Sequence, residues 1–116
     1  MPDPLQSALD EALAIGRDRG WTVPDIETLG EAQRLIALLA ASDVRLPDVS
    51  VEPDGTVAVE WDVPGRGWLQ FIVRGQGTLT HSAVIDGDEF GQTEPFTTEL
   101  PGWARNLLAR LRPQAH

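Results

Sequence analysis

The chain contains no cysteine, no lysine and no tyrosine, and a single methionine, among its 116 residues. Without cysteine it cannot form a disulfide, bind a metal through thiolates or use a cysteine nucleophile. No apolar run approaches the roughly 18 residues of a membrane-spanning helix. The chain starts with an acidic amphipathic stretch, whereas a secretory signal starts with basic residues and an unbroken apolar stretch. We therefore expect a cytoplasmic protein that folds as one domain over residues 1–116.

Positive charge is scarce, because all nine basic residues are arginines and eighteen acids oppose them, for a net charge of −9. The excess of acid lies in residues 43–99, which hold eleven acids and three arginines, while residues 100–116 hold three arginines and no acid. Direct binding to nucleic acid is disfavoured, since phosphate contacts need a cationic surface. The acidic region favours a basic protein partner, or it serves only to keep the protein soluble.

Two helices are predicted in the first third of the chain. Asp3-Pro4 has the residue types of an N-cap and a first helical position, and apolar residues follow at helical spacing until the helix ends near Gly16 to Gly20. Further on, Thr28-x-x-Glu31 has the pattern of a capping box. The second helix then ends near Ser42, and Pro24-Asp25 offers a start one turn earlier.

After Pro47 the apolar period changes to two, which predicts strands at 49–51, 56–62, 68–74 and 78–85. A fifth strand at 92–98 is placed at an edge by Pro95. Short glycine-containing turns between the strands imply an antiparallel meander. Leu100-Pro101 opens a last helix that ends at Pro113, with a buried face formed by Trp103, Leu107, Leu108 and Leu111. The fold class is therefore α+β: two N-terminal helices, an antiparallel meander of four to five strands, and a C-terminal helix packed on the sheet.

The sequence offers no convincing catalytic set. His81 and Ser82 point to opposite faces if both lie in a strand, so they do not form a Ser-His-Asp site with Asp86. A lone strand histidine is typical of a packed or surface residue. Pairs of carboxylates for acid–base chemistry, drawn from Glu60, Asp62 and Asp88, carry little weight in a chain with eighteen acids. We therefore expect that the protein is not an enzyme and binds no cofactor.

The segment 86-DGDE-89 is only superficially similar to a calcium-binding loop. Gly91 stands where the EF-hand pattern needs glycine, but Thr97 stands where it needs a bidentate glutamate. A solvated turn is the better interpretation, and no metal is expected.

The second face of the predicted sheet mixes carboxylates with Trp68 and Ile72, whereas Trp61 lies on the predicted core face. In one interpretation the N-terminal helices cover this second face and bury both side chains. In the other the face is open, and Trp68, ringed by Glu60 and Asp62, is a protein-binding anchor.

The segments 46-LPDVSVEPDGTVAVEW-61 and 86-DGDEFGQTEPFTTELP-101, with a short leucine-rich helix, resemble a widespread group of small uncharacterised bacterial proteins. The shared core, Pro-x-Val…Asp-Gly-x-Val-x-Val-Glu-Trp, is carried here by Pro47, Val49, Asp54, Gly55, Val57, Val59, Glu60 and Trp61. Gly20-Trp21 and Pro24 match the upstream part loosely, but Thr22-Val23 replaces the usual Asp-Gly-Tyr. The resemblance covers roughly residues 20–111. It implies a small accessory protein of bacterial mobile or defence regions, sometimes encoded near toxin-like genes, and it carries over no catalytic residue.

These features predict a non-enzymatic protein-binding inhibitor of the antitoxin or immunity type, whose acidic surface blocks a basic, nucleic-acid-handling partner. The expected contacts are Glu60, Asp62, Trp68, Asp86, Asp88 and Glu89. A phage-encoded inhibitor of a defence nuclease, of the anti-CRISPR type, is a close alternative. A different alternative is a structural or assembly subunit that self-associates, for example as a homodimer, through an open sheet edge or the Trp68 face.

Overall fold

The structure, a computed structural model, describes residues 3–113. The elements in chain order are α1 Pro4–Gly16, α2 Ile26–Ala40, β1 Asp48–Val51, β2 Val57–Val63, β3 Gly67–Val73, β4 Thr78–Ile85, β5 Asp88–Pro95 and α3 Gly102–Leu111. The strands form one antiparallel sheet in the order β1-β2-β3-β4-β5. The predicted α+β fold is confirmed. No helix in the described part of the chain is both long enough and apolar enough to cross a membrane.

Side-chain caps set where the first two helices begin. Asp3 accepts a hydrogen bond from the Leu5 N–H at 3.0 Å, as predicted for the N-cap of α1. Asp25 is the N-cap of α2, and it accepts from the Thr28 N–H at 2.8 Å and from the Thr28 hydroxyl at 2.7 Å. The earlier of the two predicted starts is therefore the correct one. Thr28 and Glu31 do not form a capping box, which leaves the Glu31 carboxylate free to bind elsewhere.

The fifth strand starts at Asp88 rather than at residue 92, so the predicted range of 92–98 was wrong. Asp86 and Gly87 have φ angles of 52° and 86°. Positive φ at both central residues is typical of the two-residue type I′ turn, which joins antiparallel strands directly. Asp86-Gly87 thus closes a tight hairpin and does not interrupt the sheet. β5 pairs only with β4, so its predicted position at an edge is confirmed.

The core lies between one face of the sheet and the helices α2 and α3. The apolar side chains of this cluster include Leu35, Leu39, Val57, Val59, Trp61, Leu69, Phe71, Val73, Leu79, Ile85, Leu107 and Leu111. The Trp61 ring meets Phe71 edge to face at 5.5 Å, and its indole N–H donates to the Arg45 carbonyl at 2.7 Å. Trp61 therefore occupies the core position predicted for it, with its one polar group satisfied.

Trp103 is 46% exposed, so its predicted place in the core was wrong. The buried stripe of α3 is Ala104, Leu107, Leu108 and Leu111, which is the i, i+3, i+4, i+7 spacing of one helix face. Trp103 borders this stripe in the first turn. Because the helix starts only at Gly102, no preceding turn is available to shelter the Trp103 side chain.

Candidate functional site

The side of the sheet opposite the core, called here the open face, is not covered by any described helix. It carries Asp48, Ser50, Ala58, Glu60, Asp62, Trp68, Gln70, Ile72, Thr80, Ser82, Val84, Glu89, Gly91 and Thr93. All of these except Ala58 are exposed or half-buried. α2 contacts β2 and β3, α3 contacts β3 and β4 on the core side, and α1 packs against β1. The interpretation in which the N-terminal helices cover this face is therefore wrong.

Trp68 lies in a row of side chains that crosses the open face. The strand register places Asp62 directly beside Trp68 on one side and Val84 on the other, with Glu89 beyond Val84. Trp68 is 37% exposed, whereas Trp61, on the core face of β2, is 1% exposed. An aromatic ring with this exposure, between two carboxylates, has the composition of a binding anchor with a polar rim.

A shallow depression of about 380 Å³ adjoins the Trp68 ring. It is bounded on the open face by Trp68, Ser82, Val84, Glu89 and Gly91. Gly91 has no side chain, so the depression is not closed on the side of β5. A Cβ atom added at Gly91 would meet only the His81 carbonyl oxygen, at 3.9 Å, which shows how much space lies around this position.

Negative charge dominates the end of the open face that holds Trp68. Asp48, Glu60, Asp62 and Glu89 are exposed there, and none of them forms a salt bridge with a residue of the described chain. Asp48 stands directly opposite Glu60 in the β1–β2 pair, an arrangement of like charges that destabilises a sheet.

At the acidic end the Arg45 guanidinium donates to the Asp62 backbone carbonyl at 2.9 Å, and the arginine on the open face itself, Arg74, lies at the opposite end. The Arg74 guanidinium there donates to the Thr80 hydroxyl at 2.7 Å. Near Arg74, in the β1–β2 turn, the Thr56 hydroxyl and N–H bind Asp54 and hold the pKa of that carboxyl below its ordinary value. The acids around Trp68 have no such partners and are free to meet an external cation.

Four of the six predicted contact residues come together on the open face, namely Glu60, Asp62, Trp68 and Glu89. Asp86 lies in the exposed β4–β5 turn at the end of the sheet. Asp88 projects to the helical side, where its carboxylate is 3.8 Å from the Arg110 guanidinium of α3. Asp88 therefore does not belong to the same surface as Trp68.

His81 is 2% exposed and faces the core. It is therefore a packed residue, which was one of the two possibilities that the sequence left open. Its Nδ1 atom lies 3.6 Å from Glu94 Oε2 and has no hydrogen-bond partner among the described residues. Ser82 faces the opposite side of the sheet, so these residues do not form a nucleophile–base pair. Within residues 3–113, no group of three or more His, Asp or Glu side chains is placed to hold a metal ion.

Two buried glutamates were missed by the sequence analysis. Glu31 accepts from the N–H groups of Gly75 at 2.8 Å and Gly77 at 2.6 Å. Glu94 accepts from the N–H groups of Trp103 at 3.1 Å and Ala104 at 3.3 Å, at the start of α3. In both carboxylates each oxygen accepts one backbone N–H, so each glutamate joins two segments of the fold. No local pattern marks such pairings, because Glu31 is 44 residues from Gly75.

No protein-family model, curated protein or solved structure matches this chain. The resemblance to small bacterial accessory proteins therefore stays a prediction. The candidate functional site is the open face, an uncovered sheet surface on which four carboxylates without a salt bridge to the described chain lie around an accessible tryptophan.

Proposed function

We propose that this protein binds a basic protein surface through its open face and acts as a non-enzymatic cytoplasmic inhibitor of the antitoxin or immunity type. The observation that carries the proposal is the set of exposed, unpaired carboxylates around Trp68. A phage-encoded inhibitor of a defence nuclease would use the same surface and is the close variant of this proposal.

The charge of the open face supports an inhibitory role. A nucleic-acid-handling protein has a cationic groove, because phosphate neutralisation supplies most of its affinity. A rigid sheet that presents Glu60, Asp62 and Glu89 competes for the same groove. Trp68 adds a contact that the phosphate backbone of a nucleic acid cannot make, because burial of a large aromatic side chain supports a binding hot spot. The acids would then govern the association rate and its dependence on salt.

Parallel capture experiments in the native host test this proposal. The baits are the tagged wild type, the double variant Glu60→Arg with Asp62→Arg, and Trp68→Ala. The control is Asp18→Arg with Asp43→Arg, which makes the same charge change at exposed positions away from the open face. We expect a basic protein that the wild type and the control retain and that both open-face variants lose.

The captured protein is then assayed for nuclease activity with and without the inhibitor. For Trp68→Ala we expect inhibition to weaken by roughly 30-fold, corresponding to ~2 kcal/mol for a hot-spot side chain. The proposal is refuted if the open-face variants and the control retain the same proteins, because binding would then not depend on the residues of the open face.

One observation favours the second candidate function, an assembly subunit. β5 is eight residues long and pairs only with β4, so its outer edge is free to pair with another strand. Sedimentation velocity over a concentration series separates the two candidates. A stable homo-oligomer supports an assembly subunit, and a monomer at all concentrations supports an inhibitor.

A further inference from the structure

We propose that the partner supplies an extended, arginine-containing segment that adds as a strand to the free edge of β5 and places a basic side chain across Gly91 into the depression beside Trp68. This inference rests on the proposed function and specifies the chemistry of the partner. It combines two features that meet at Gly91, namely unpaired backbone groups and an acidic aromatic depression.

The pairing pattern shows which backbone groups of β5 are free. In a two-residue hairpin the residues that flank the turn, here Ile85 and Asp88, exchange both hydrogen bonds, and bonded pairs then alternate along the strands. The N–H and C=O groups of Glu89, Gly91 and Thr93 consequently point away from β4. None of them bonds to the backbone of another described segment. This row is a template for an added strand.

The two edges of the sheet are treated differently. β1 is four residues long and α1 packs against it. β5 is twice as long and pairs with β4 without a bulge. It meets α3 through side chains on its core face, namely Asp88, Phe90 and Glu94. Its one proline, Pro95, stands at the very end. Edge strands are normally protected by short length, bulges, internal proline or charged side chains, including charges that point inward. β5 is long and has no bulge or internal proline, and its exposed charges, Asp88 and Glu89, are acidic, so they do not repel a basic strand. Its inward-pointing Glu94 is bound to the start of α3.

The depression explains why the added strand would be basic. A residue paired with Gly91 would project onto the open face, because directly opposed residues share a face. The added strand and β3, which carries Trp68, are three strand spacings apart, about 14 Å, with β4 and β5 between them. A long side chain that lies across Gly91 enters the depression, which the Trp68 ring borders from the other side. An arginine there reaches the Trp68 ring for a cation–π contact and the Glu89 carboxylate for an ion pair. Asp62, beside Trp68, adds to the negative potential.

Charge also selects between a foreign segment and a second copy of this chain. Each copy has a net charge of −9, and β5 itself exposes Asp88 and Glu89. A β5–β5 pair would bring these like charges together, whereas a basic segment is attracted to the same edge. The occupant that fits is therefore a basic extended segment of another protein.

The test uses two synthetic peptides of alternating arginine and threonine. The second peptide carries N-methyl groups on the amides that would face β5, so it keeps the charge and loses the backbone hydrogen bonds. Affinity is measured by calorimetry, and amide hydrogen exchange of the protein is followed by NMR. We expect the first peptide to slow exchange at Glu89, Gly91 and Thr93 and to bind at least about tenfold more tightly than the second.

A matched pair of protein variants tests the same backbone hydrogen bonds by changing β5 instead of the peptide. Thr93→Pro removes one outward N–H and spares the hydrogen bonds to β4, while Thr93→Val keeps that N–H, and both lose the threonine hydroxyl. We expect about tenfold weaker peptide binding for Thr93→Pro and unchanged binding for Thr93→Val. Thermal unfolding of both variants verifies that the sheet is intact.

The outcomes separate this inference from the proposed function. If both peptides bind equally and Glu60→Arg with Asp62→Arg abolishes binding, the open face binds cations without strand addition, so the inference fails and the proposed function stands. Failure of the unmethylated peptide to bind also overturns the inference, while the capture experiment tests the proposed function independently. A homodimer that Thr93→Pro dissociates would overturn it in favour of a second copy.

Discussion

At the scale of single residues, the buried carboxylates Glu31 and Glu94 act as structural acceptors. Glu31 binds two backbone N–H groups that lie 44 and 46 residues away, and Glu94 binds two that lie 9 and 10 residues away. Hydrogen bonds to an ionised acceptor are stronger than neutral ones, and buried N–H groups without a partner are costly. Glu31 therefore holds the β3–β4 turn to α2, and Glu94 holds the start of α3 to the edge strand.

We predict that Glu31→Ala lowers the free energy of unfolding by about 2–4 kcal/mol, because the N–H groups of Gly75 and Gly77 lose an ionised acceptor. Glu31→Gln keeps one acceptor oxygen and should cost less. Urea denaturation measures both changes. Gln33→Ala, at an exposed position of the same helix, is the control and should change stability by less than about 0.5 kcal/mol. Equal effects of Glu31→Ala and Gln33→Ala would contradict the structural role of Glu31.

The cap of α2 makes part of the stability depend on pH. The N–H of Thr28, and then its hydroxyl, hold the pKa of Asp25 below its ordinary value of 3.8. The unfolded chain therefore takes up this proton at a higher pH than the folded protein. The contribution to stability is complete above the ordinary pKa and is lost as the pH falls through the lowered one.

We predict that Asp25→Asn is less stable than the wild type near neutral pH and that the difference narrows in acid, because asparagine does not titrate. Urea denaturation at about pH 6 and about pH 3 measures the difference on either side of the ordinary pKa. Thr28→Val removes the hydroxyl bond and keeps the N–H bond, so it should reduce the pH dependence only in part. A difference that is the same at both pH values would refute this assignment.

At the scale of the elements, the β3–β4 turn is fitted to the start of α2. Gly75 and Gly77 both have positive φ, at 78° and 73°. A Cβ at Gly75 would lie 2.7 Å from the Thr28 hydroxyl oxygen and 2.9 Å from the Thr28 nitrogen, whereas a Cβ at Gly77 would meet nothing within 4 Å. Both Gly75 and Gly77 are therefore needed for the backbone conformation of the turn, and Gly75 is needed also because the turn approaches the helix so closely there.

We predict that Gly77→Ala costs roughly 1–2 kcal/mol, the penalty of a left-handed conformation for a residue with a Cβ atom. Gly75→Ala should cost distinctly more, because it must also displace the first turn of α2. Thermal unfolding of the two variants provides the comparison, with each serving as the control for the other. Equal losses of stability in the two variants would show that the close approach of the turn to α2 does not affect the cost of adding a Cβ atom.

The elements themselves were largely predictable. The change of apolar period at Pro47, and glycine in the turns, marked the order of helices and strands, because both are local properties of the chain. The start of β5 was not recognised, since Asp86-Gly87 was interpreted as an interruption and not as a type I′ turn. The face of α3 was misjudged only at Trp103, in the first turn, where burial depends on what packs nearby.

At the scale of the whole molecule, α2 and α3 cover the same face of the sheet and leave the other to solvent. Trp68 and Trp103 are both exposed as a result, but in opposite electrostatic surroundings. Trp68 lies among the acids of the open face, while Trp103 lies on the helix that carries Arg105 and Arg110. The uneven charge along the sequence thus becomes an uneven potential around the folded protein.

We predict that caesium ions quench Trp68 fluorescence more efficiently than iodide ions do, when each is expressed relative to its quenching of free N-acetyltryptophanamide, because the open face attracts cations and repels anions. Trp68→Phe should remove most of this preference, and Trp103→Phe, the matched control, should leave it in place. The preference should vanish near 1 M salt, where the screening length falls to about 3 Å. Relative quenching of Trp68 that is stronger for iodide than for caesium would contradict an acidic open face.

The sequence by itself determined the α+β class, the antiparallel order of the strands and the concentration of acid in residues 43–99, because periodicity, turn chemistry and charge are written locally. Only the tertiary structure decided that the Trp68 face is open, that Asp88 lies on the other side, and that Glu31 and Glu94 are internal acceptors. Each of these depends on which face of the sheet the helices cover. That choice is made by packing between segments far apart in the chain, and no local pattern of residues encodes it.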